Sequence, residues 1–170
     1  MARAFVGLDF EAAIEWLETL PESEKTKARG AAAEVVSPSQ AHILIEGAPQ
    51  GPERLALLTK YSEKHLNLNT AKWMVEMPEI ETPELRAVLR AALPSLAQGA
   101  PLALLDWSPT IQYEDIRAEA YLSVAKEWSK ADPSRSRRIL KEAELPEDLR
   151  QAVVEHLELF IEGKEAEAAR

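Results

Sequence analysis

Three histidines, His42, His65 and His156, are the side chains best suited to metal binding or acid–base work in this chain of 170 residues. The residues three places before them are Ser39, Ser62 and Val153, so the Glu-x-x-His pairing by which helical bundles hold di-iron centres does not occur. His42 and His65 are close enough in sequence to approach one another, but each stands without a ligand-spaced neighbour, and surface histidines are the preferred reading. A Gly-x-Ser-x-Gly nucleophile turn and a phosphate-cradling glycine loop are both missing. With no Cys there is no thiolate nucleophile, no disulfide framework and no Cys-ligated metal. Paired carboxylates do occur at Glu114-Asp115 and Glu147-Asp148, but each pair falls in the first turn after a proline, where negative charge complements a helix dipole. These residue types point away from catalysis: no catalytic, cofactor-binding or metal-ligating residue is expected, and the chain is read as non-enzymatic.

Cations and aromatics offer binding rather than bond-making chemistry. Arg29, Arg86 and Arg117 each fall eight residues after a proline, namely Pro21, Pro78 and Pro109. Such a recurrence either lines a groove or clamps a carbonyl or carboxylate of a neighbouring segment, and the clamp is preferred because periodic charges usually solve a packing problem. Arg135, Arg137 and Arg138 crowd the start of a segment opening at Asp132-Pro133, where positive charge opposes the helix dipole. Together with Lys126 and Lys130 they form a candidate basic patch for phosphate or an acidic peptide, unless they bridge to the abundant acidic residues. Trp107 and Tyr113 flank Pro109; Trp107 lies off the apolar register of the pattern described below. Both are candidate partner-binding residues, since exposed aromatics anchor interfaces, with local repacking as the alternative for Trp107.

These side chains must be positioned by helices, and the helices are punctuated. Ser37 to Pro49 is the cleanest case: Ser37 as cap, Pro38 at the first helical position, Gln40 completing a capping box, Gly47 and Pro49 as stops. Its pattern is cap, three residues, Ala, two residues, two large apolar residues, two residues, a small residue or Leu, then Pro. Asp9, Ala13, Trp16, Leu17, Leu20 and Pro21 repeat it; Asn67, Ala71, Trp73, Met74, Met77 and Pro78 repeat it one residue shorter. A fourth copy keeps Leu104, Leu105, Ser108 and Pro109 but has Pro101 in place of Ala, and a fifth begins at Asp132-Pro133 with Ile139 and Leu140 and reaches Pro146 late. The terminal prolines are spaced by 28, 29, 31 and 37 residues, periods typical of helical-repeat arrays.

Each proline is followed by a second helical segment with apolar residues at helical spacing. The spacing predicts helices over 22–36, over 52–65 with Leu55, Leu58 and Tyr61 on one face, from Thr82-Pro83 to a stop at Pro94, over 113–130, and from Pro146 through Phe160. No alternating strand pattern occurs. The paired residues Trp16-Leu17, Leu44-Ile45, Trp73-Met74 and Leu104-Leu105 are expected to plug seams between successive helix pairs, with each Ala keeping the helices close.

This pattern resembles the helix-turn-helix repeats of the TPR and HEAT superfamilies in layout. The form Asp-Pro-x-x-Ala-x-x-Trp-Leu-x-x-Leu-Pro is similar to short repeats of many uncharacterised bacterial proteins. The resemblance covers roughly 9–160 and departs from TPR in lacking its Tyr and Phe spacing and its fixed period of about 34 residues. It implies a scaffold and carries over no site residues. The expected fold is all-α, a right-handed α-solenoid of about five helix-turn-helix repeats forming one domain over 1–170. The repeats run over 9–36, 37–66, 67–96, 97–131 and 132–162, and 163–170 is a frayed polar tail.

Charge and length narrow the function classes. A formal charge of -9 disfavours nucleic acid and anionic membranes and favours a basic protein partner. Apolar runs stop at about six residues, as in Ala100 to Leu105, against the ~20 needed to span a bilayer. The first residues lack the apolar core of a signal peptide, because Asp9 and Glu11 interrupt it, and a cytoplasmic location is expected. Arg3 to Leu8 reads as the end of a preceding helix, so self-association through the N-terminal end is a further expectation. The leading expectation is a protein–protein interaction scaffold; the rival is an acidic inhibitor or immunity-type protein that neutralises a basic enzyme. An enzyme or sensor would need a polar pocket joining His42 or His65 to carboxylates.

Overall fold

The computed structural model describes residues 9–168; the segment expected to mediate N-terminal association, Arg3 to Leu8, lies outside them. The fold is all-α. The described residues form ten α-helices: α1 (Phe10–Glu18), α2 (Glu22–Ala33), α3 (Pro38–Glu46), α4 (Pro52–His65), α5 (Leu68–Glu76), α6 (Pro83–Gly99), α7 (Pro101–Trp107), α8 (Glu114–Ser129), α9 (Pro133–Glu142) and α10 (Glu147–Ala168). Short 3-10 turns at Pro78–Glu81 and Ser108–Thr110 follow α5 and α7. The chain divides into two compact units between Val88 and Leu89, within α6.

Local chemistry starts and stops these helices much as the sequence suggests. The Asp9 carboxylate accepts the Ala12 N–H at 3.0 Å. The Ser37–Gln40 capping box forms. Asn67 accepts from Asn69 and Thr70, and Asp132 accepts the Arg135 N–H at 2.9 Å. Gly47 ends α3 with a right-handed φ of -68°, so its left-handed freedom is not used there. The one glycine that needs it among the described residues is Gly51, at φ 110° and ψ -149°, opening α4.

In the first unit, α1 packs on α2, α2 on α3 and α4, α3 on α4, and α4 on α5. The recurring alanines Ala13, Ala41 and Ala71 are fully buried, as are Leu17, Ile45 and Met74, the second members of the large apolar pairs. Trp16 and Trp73, the first members, are only half-buried. The 3-10 turn brings Glu79 under the α3–α4 link, where its Oε1 accepts the Gly51 N–H at 3.2 Å and lies 3.6 Å from Arg54 Nε. Glu79 is 4% exposed, so its charge is met inside the protein through Oε1, while its Oε2 is buried without a hydrogen-bond partner.

In the second unit α8 packs on α7, α9 and α10, and α9 packs on α10. α8 is buried on several faces, through Ile116, Ala118, Tyr121, Leu122, Val124 and Ala125, and so is the element the others surround. Leu140, Leu157 and Ile161 close the core around it.

Two helices run past their expected ends. Pro94 does not stop α6, which continues to Gly99. Pro94 is exposed, and so is Arg90, whose carbonyl loses its intrahelical donor; water can satisfy that carbonyl, while Leu93, Leu96 and Ala97 are buried and hold the next turn. Likewise, α10 is helical through 163–168 of the segment expected to fray, with Lys164 bonded to Glu167 at 2.7 Å one turn on.

An added Cβ at Gly51 would meet no atom within 4 Å, so a substitution there tests the backbone alone. Gly51→Ala is expected to lower stability by about 1–3 kcal/mol in urea denaturation, through a conformation nearly restricted to glycine.

Candidate functional site

The arginines resolve first, and into a structural role. Arg54 donates from Nε and Nη2 to the Ala48 carbonyl at 3.0 and 2.8 Å. Arg86 Nε donates to Ile80 O at 2.9 Å, Arg117 Nη1 to Ile111 O at 3.2 Å, and Arg150 Nη2 to Leu145 O at 3.4 Å. The expected clamp is therefore present at Arg86 and Arg117, but each guanidinium grips the link just before its own helix and not a neighbouring repeat. Arg29 differs: it binds the Glu18 carboxylate, which Lys25 also reaches at 3.2 Å. The hydrogen bond from Lys25, with Arg29 behind it, holds the Glu18 carboxyl below the usual range.

The basic patch expected of Arg135, Arg137 and Arg138 with Lys126 and Lys130 is divided. Arg135 lies over the Trp128 ring at 3.8 Å. Arg137 grips Glu158 with two bonds of 2.7 and 2.6 Å, which lowers the Glu158 pKa and neutralises that arginine locally. Arg138 is exposed. Trp107 is 8% exposed. Leu104, Trp107, Ser108 and Ile111 form the buried i, i+3, i+4, i+7 row of that segment, so Trp107 is in register with its own helix although out of register with the other copies. Tyr113, half-buried, precedes α8, and its carbonyl accepts the Arg117 N–H at 2.8 Å.

Lys126 and Lys130 instead meet Lys164 along a shallow groove of about 390 Å³ in the second unit, between the C-terminal half of α6, α8 and α10. Phe160 lies in this groove with Lys126 Nζ 5.8 Å from its ring centre. Ser123, 3% exposed, also lines it, and its Oγ is buried without a hydrogen-bond partner. Glu119 and Glu127 are on the same wall, and Glu127 is ion-paired with Lys130. On α8 the spacing of Ser123, Lys126, Glu127 and Lys130 marks one face. The contribution of Phe160 and Lys164 from α10 had no signal in the sequence, because it depends on how α10 docks.

The first unit holds a second cluster, of histidines and aromatics. His42 stacks on Trp73 at 3.8 Å and 7°, and Tyr61 lies edge-on to both. His65 stacks on Tyr61 at 4.8 Å. The Trp73 indole N–H donates to Glu46 at 2.6 Å. Thus α3, α4 and α5 are tied by ring contacts. His42 and His65, expected at the surface, are half-buried, and the Nε2 atoms of both are buried without partners. No group of three or more potential metal ligands occurs among the described residues. No helix among them is long and apolar enough to cross a membrane.

Set against protein-family models, curated proteins and solved structures, the chain gives no significant match.

Burial pushes the His42 pKa below its usual 6.5, with Glu46 opposing. The unfolded chain therefore takes up this proton at a higher pH than the folded protein, so the stability it contributes is full above about 6.5 and is lost as pH falls. Unfolding midpoints in urea are expected to drop between about pH 7.5 and 5.5, and His42→Phe, which keeps the stacked ring, to flatten that slope. An unchanged slope in the variant contradicts the assignment.

Proposed function

We propose that the chain is a helical-repeat protein, its ten described helices grouped as the five pairs of an α-solenoid, and that it serves as a non-enzymatic scaffold for a protein partner. The observation that carries this reading is the packing of alternate helices: α2 on α4 in one unit and α8 on α10 in the other, in addition to sequential neighbours. Stacked helix pairs produce that pattern, because each pair buries on the next the face it cannot bury alone. The residues that recur, Ala13, Ala41, Ala71 and the clamping arginines, are occupied in packing and turn closure. Surfaces available for recognition are then the ones that do not recur, chiefly the groove holding Phe160, with the exposed Arg135 and Arg138 of α9 as a further candidate.

A second reading rests on the net charge of -9: an acidic inhibitor that neutralises a basic enzyme. Affinity capture from the native host, followed by binding of the recovered protein with purified components, separates the readings. The scaffold reading expects a reproducible, saturable partner whose affinity changes modestly with salt, and repeated capture without such a partner contradicts it. The inhibitor reading expects a basic partner whose affinity falls by about tenfold or more between low and physiological salt, mainly in the association rate.

A further inference from the structure

We propose that the groove between α6, α8 and α10 docks an acidic segment of a partner protein, seating an apolar side chain against Phe160 and meeting carboxylates with Lys126, Lys130 and Lys164. The inference rests on the scaffold reading and names the chemistry of its partner at one place.

Charge complementarity is the first argument. The protein carries 29 acidic against 20 basic residues, yet three lysines converge on this groove. Lys130 and Lys164 are held by Glu127 and Glu167 in exposed pairs one turn apart, which contribute little and exchange readily. Lys126 lies over an aromatic ring rather than against a carboxylate, so its charge is open to an incoming anion.

Ser123 supplies an independent observation. Its hydroxyl is buried and unpartnered, although a helical serine can turn back to the carbonyl four residues earlier. A buried hydroxyl without a partner is costly, and a carbonyl or carboxylate oxygen entering the groove would relieve that cost. On the α6 wall, Ser95 and Gln98 add exposed donors and acceptors suited to a peptide backbone.

The α8 wall argues for a protein segment over a nucleic acid. Glu119 and Glu127 interrupt the lysines, so a run of phosphates would meet like charge, whereas an acidic peptide can place its carboxylates selectively. The ring of Phe160 offers an apolar seat for a side chain such as Leu or Phe.

The test uses the full chain and a fluorescein-labelled peptide, Glu-Glu-Leu-Phe-Glu-Glu, followed by fluorescence polarisation at low salt. Saturable binding is expected, weakened by salt and by replacement of Leu-Phe with Ser-Ser. Lys126→Glu should weaken it about tenfold or more and Lys126→Gln less, while Lys72→Glu, an exposed lysine of the other unit, should leave it unchanged. Absence of saturation up to about 1 mM peptide, or equal binding by Lys126→Glu, overturns the proposal. Tighter binding of a labelled single-stranded DNA at the same site also overturns it. A host partner that binds Lys126→Glu as well as the unaltered protein leaves the scaffold reading standing and removes the groove from it.

Discussion

A proline that ends a helix solves one problem and creates another. It cannot donate an N–H, so carbonyls at the end of the preceding helix and in the link after it lose their natural partner and need another donor. At four of the links the donor is an arginine from the first turn or two of the next helix, reaching back five or six residues. Arg54 serves Ala48, Arg86 serves Ile80, Arg117 serves Ile111 and Arg150 serves Leu145. Where the link contains a 3-10 turn, as after α5 and α7, the gripped carbonyl is two residues beyond the proline; in the tighter links it is the residue just before the proline. The arginine keeps its distance to the carbonyl while the link changes length.

That constraint explains why the periodic features of the chain are poor places to look for chemistry. The small Ala13, Ala41 and Ala71 let helices approach, and Leu17, Ile45 and Met74 fill the space between them. Glu79 accepts the Gly51 N–H and lies against Arg54 in the interior. These residues are engaged in packing and turn closure. The second unit departs from the pattern: α8 is wrapped by its neighbours, Trp107 is drawn into the core, and Lys126, Phe160 and Ser123 are placed together by the docking of α10.

Caps and the recurring small residues were legible because they are local. Ser37 with Gln40, Asn67 and Asp132 announce helix starts through side chains only a few residues from the groups they satisfy, and the buried Ala13, Ala41 and Ala71 report close approach. Features decided by tertiary surroundings were not. Pro94 looks like a stop until Leu96 and Ala97 are seen to be buried beyond it. Trp107 looks misplaced against the other copies, but Pro101 starts α7 in a new register. The stack of His42 on Trp73 joins residues of α3 and α5, and Arg137 finds Glu158 on α10; both pairings are set by how helices meet, which spacing along the chain does not encode. The division within α6 likewise has no signature in composition.

The claim that these clamps hold the links is tested most directly by replacing clamping arginines with methionine, which keeps length and removes the donors. Urea denaturation of Arg86→Met and Arg117→Met, with Arg90→Met as the exposed control on α6, gives the comparison. The account predicts a loss of about 1–3 kcal/mol for each clamp and a change within about 0.5 kcal/mol for the control. Clamp variants as stable as the control would contradict it.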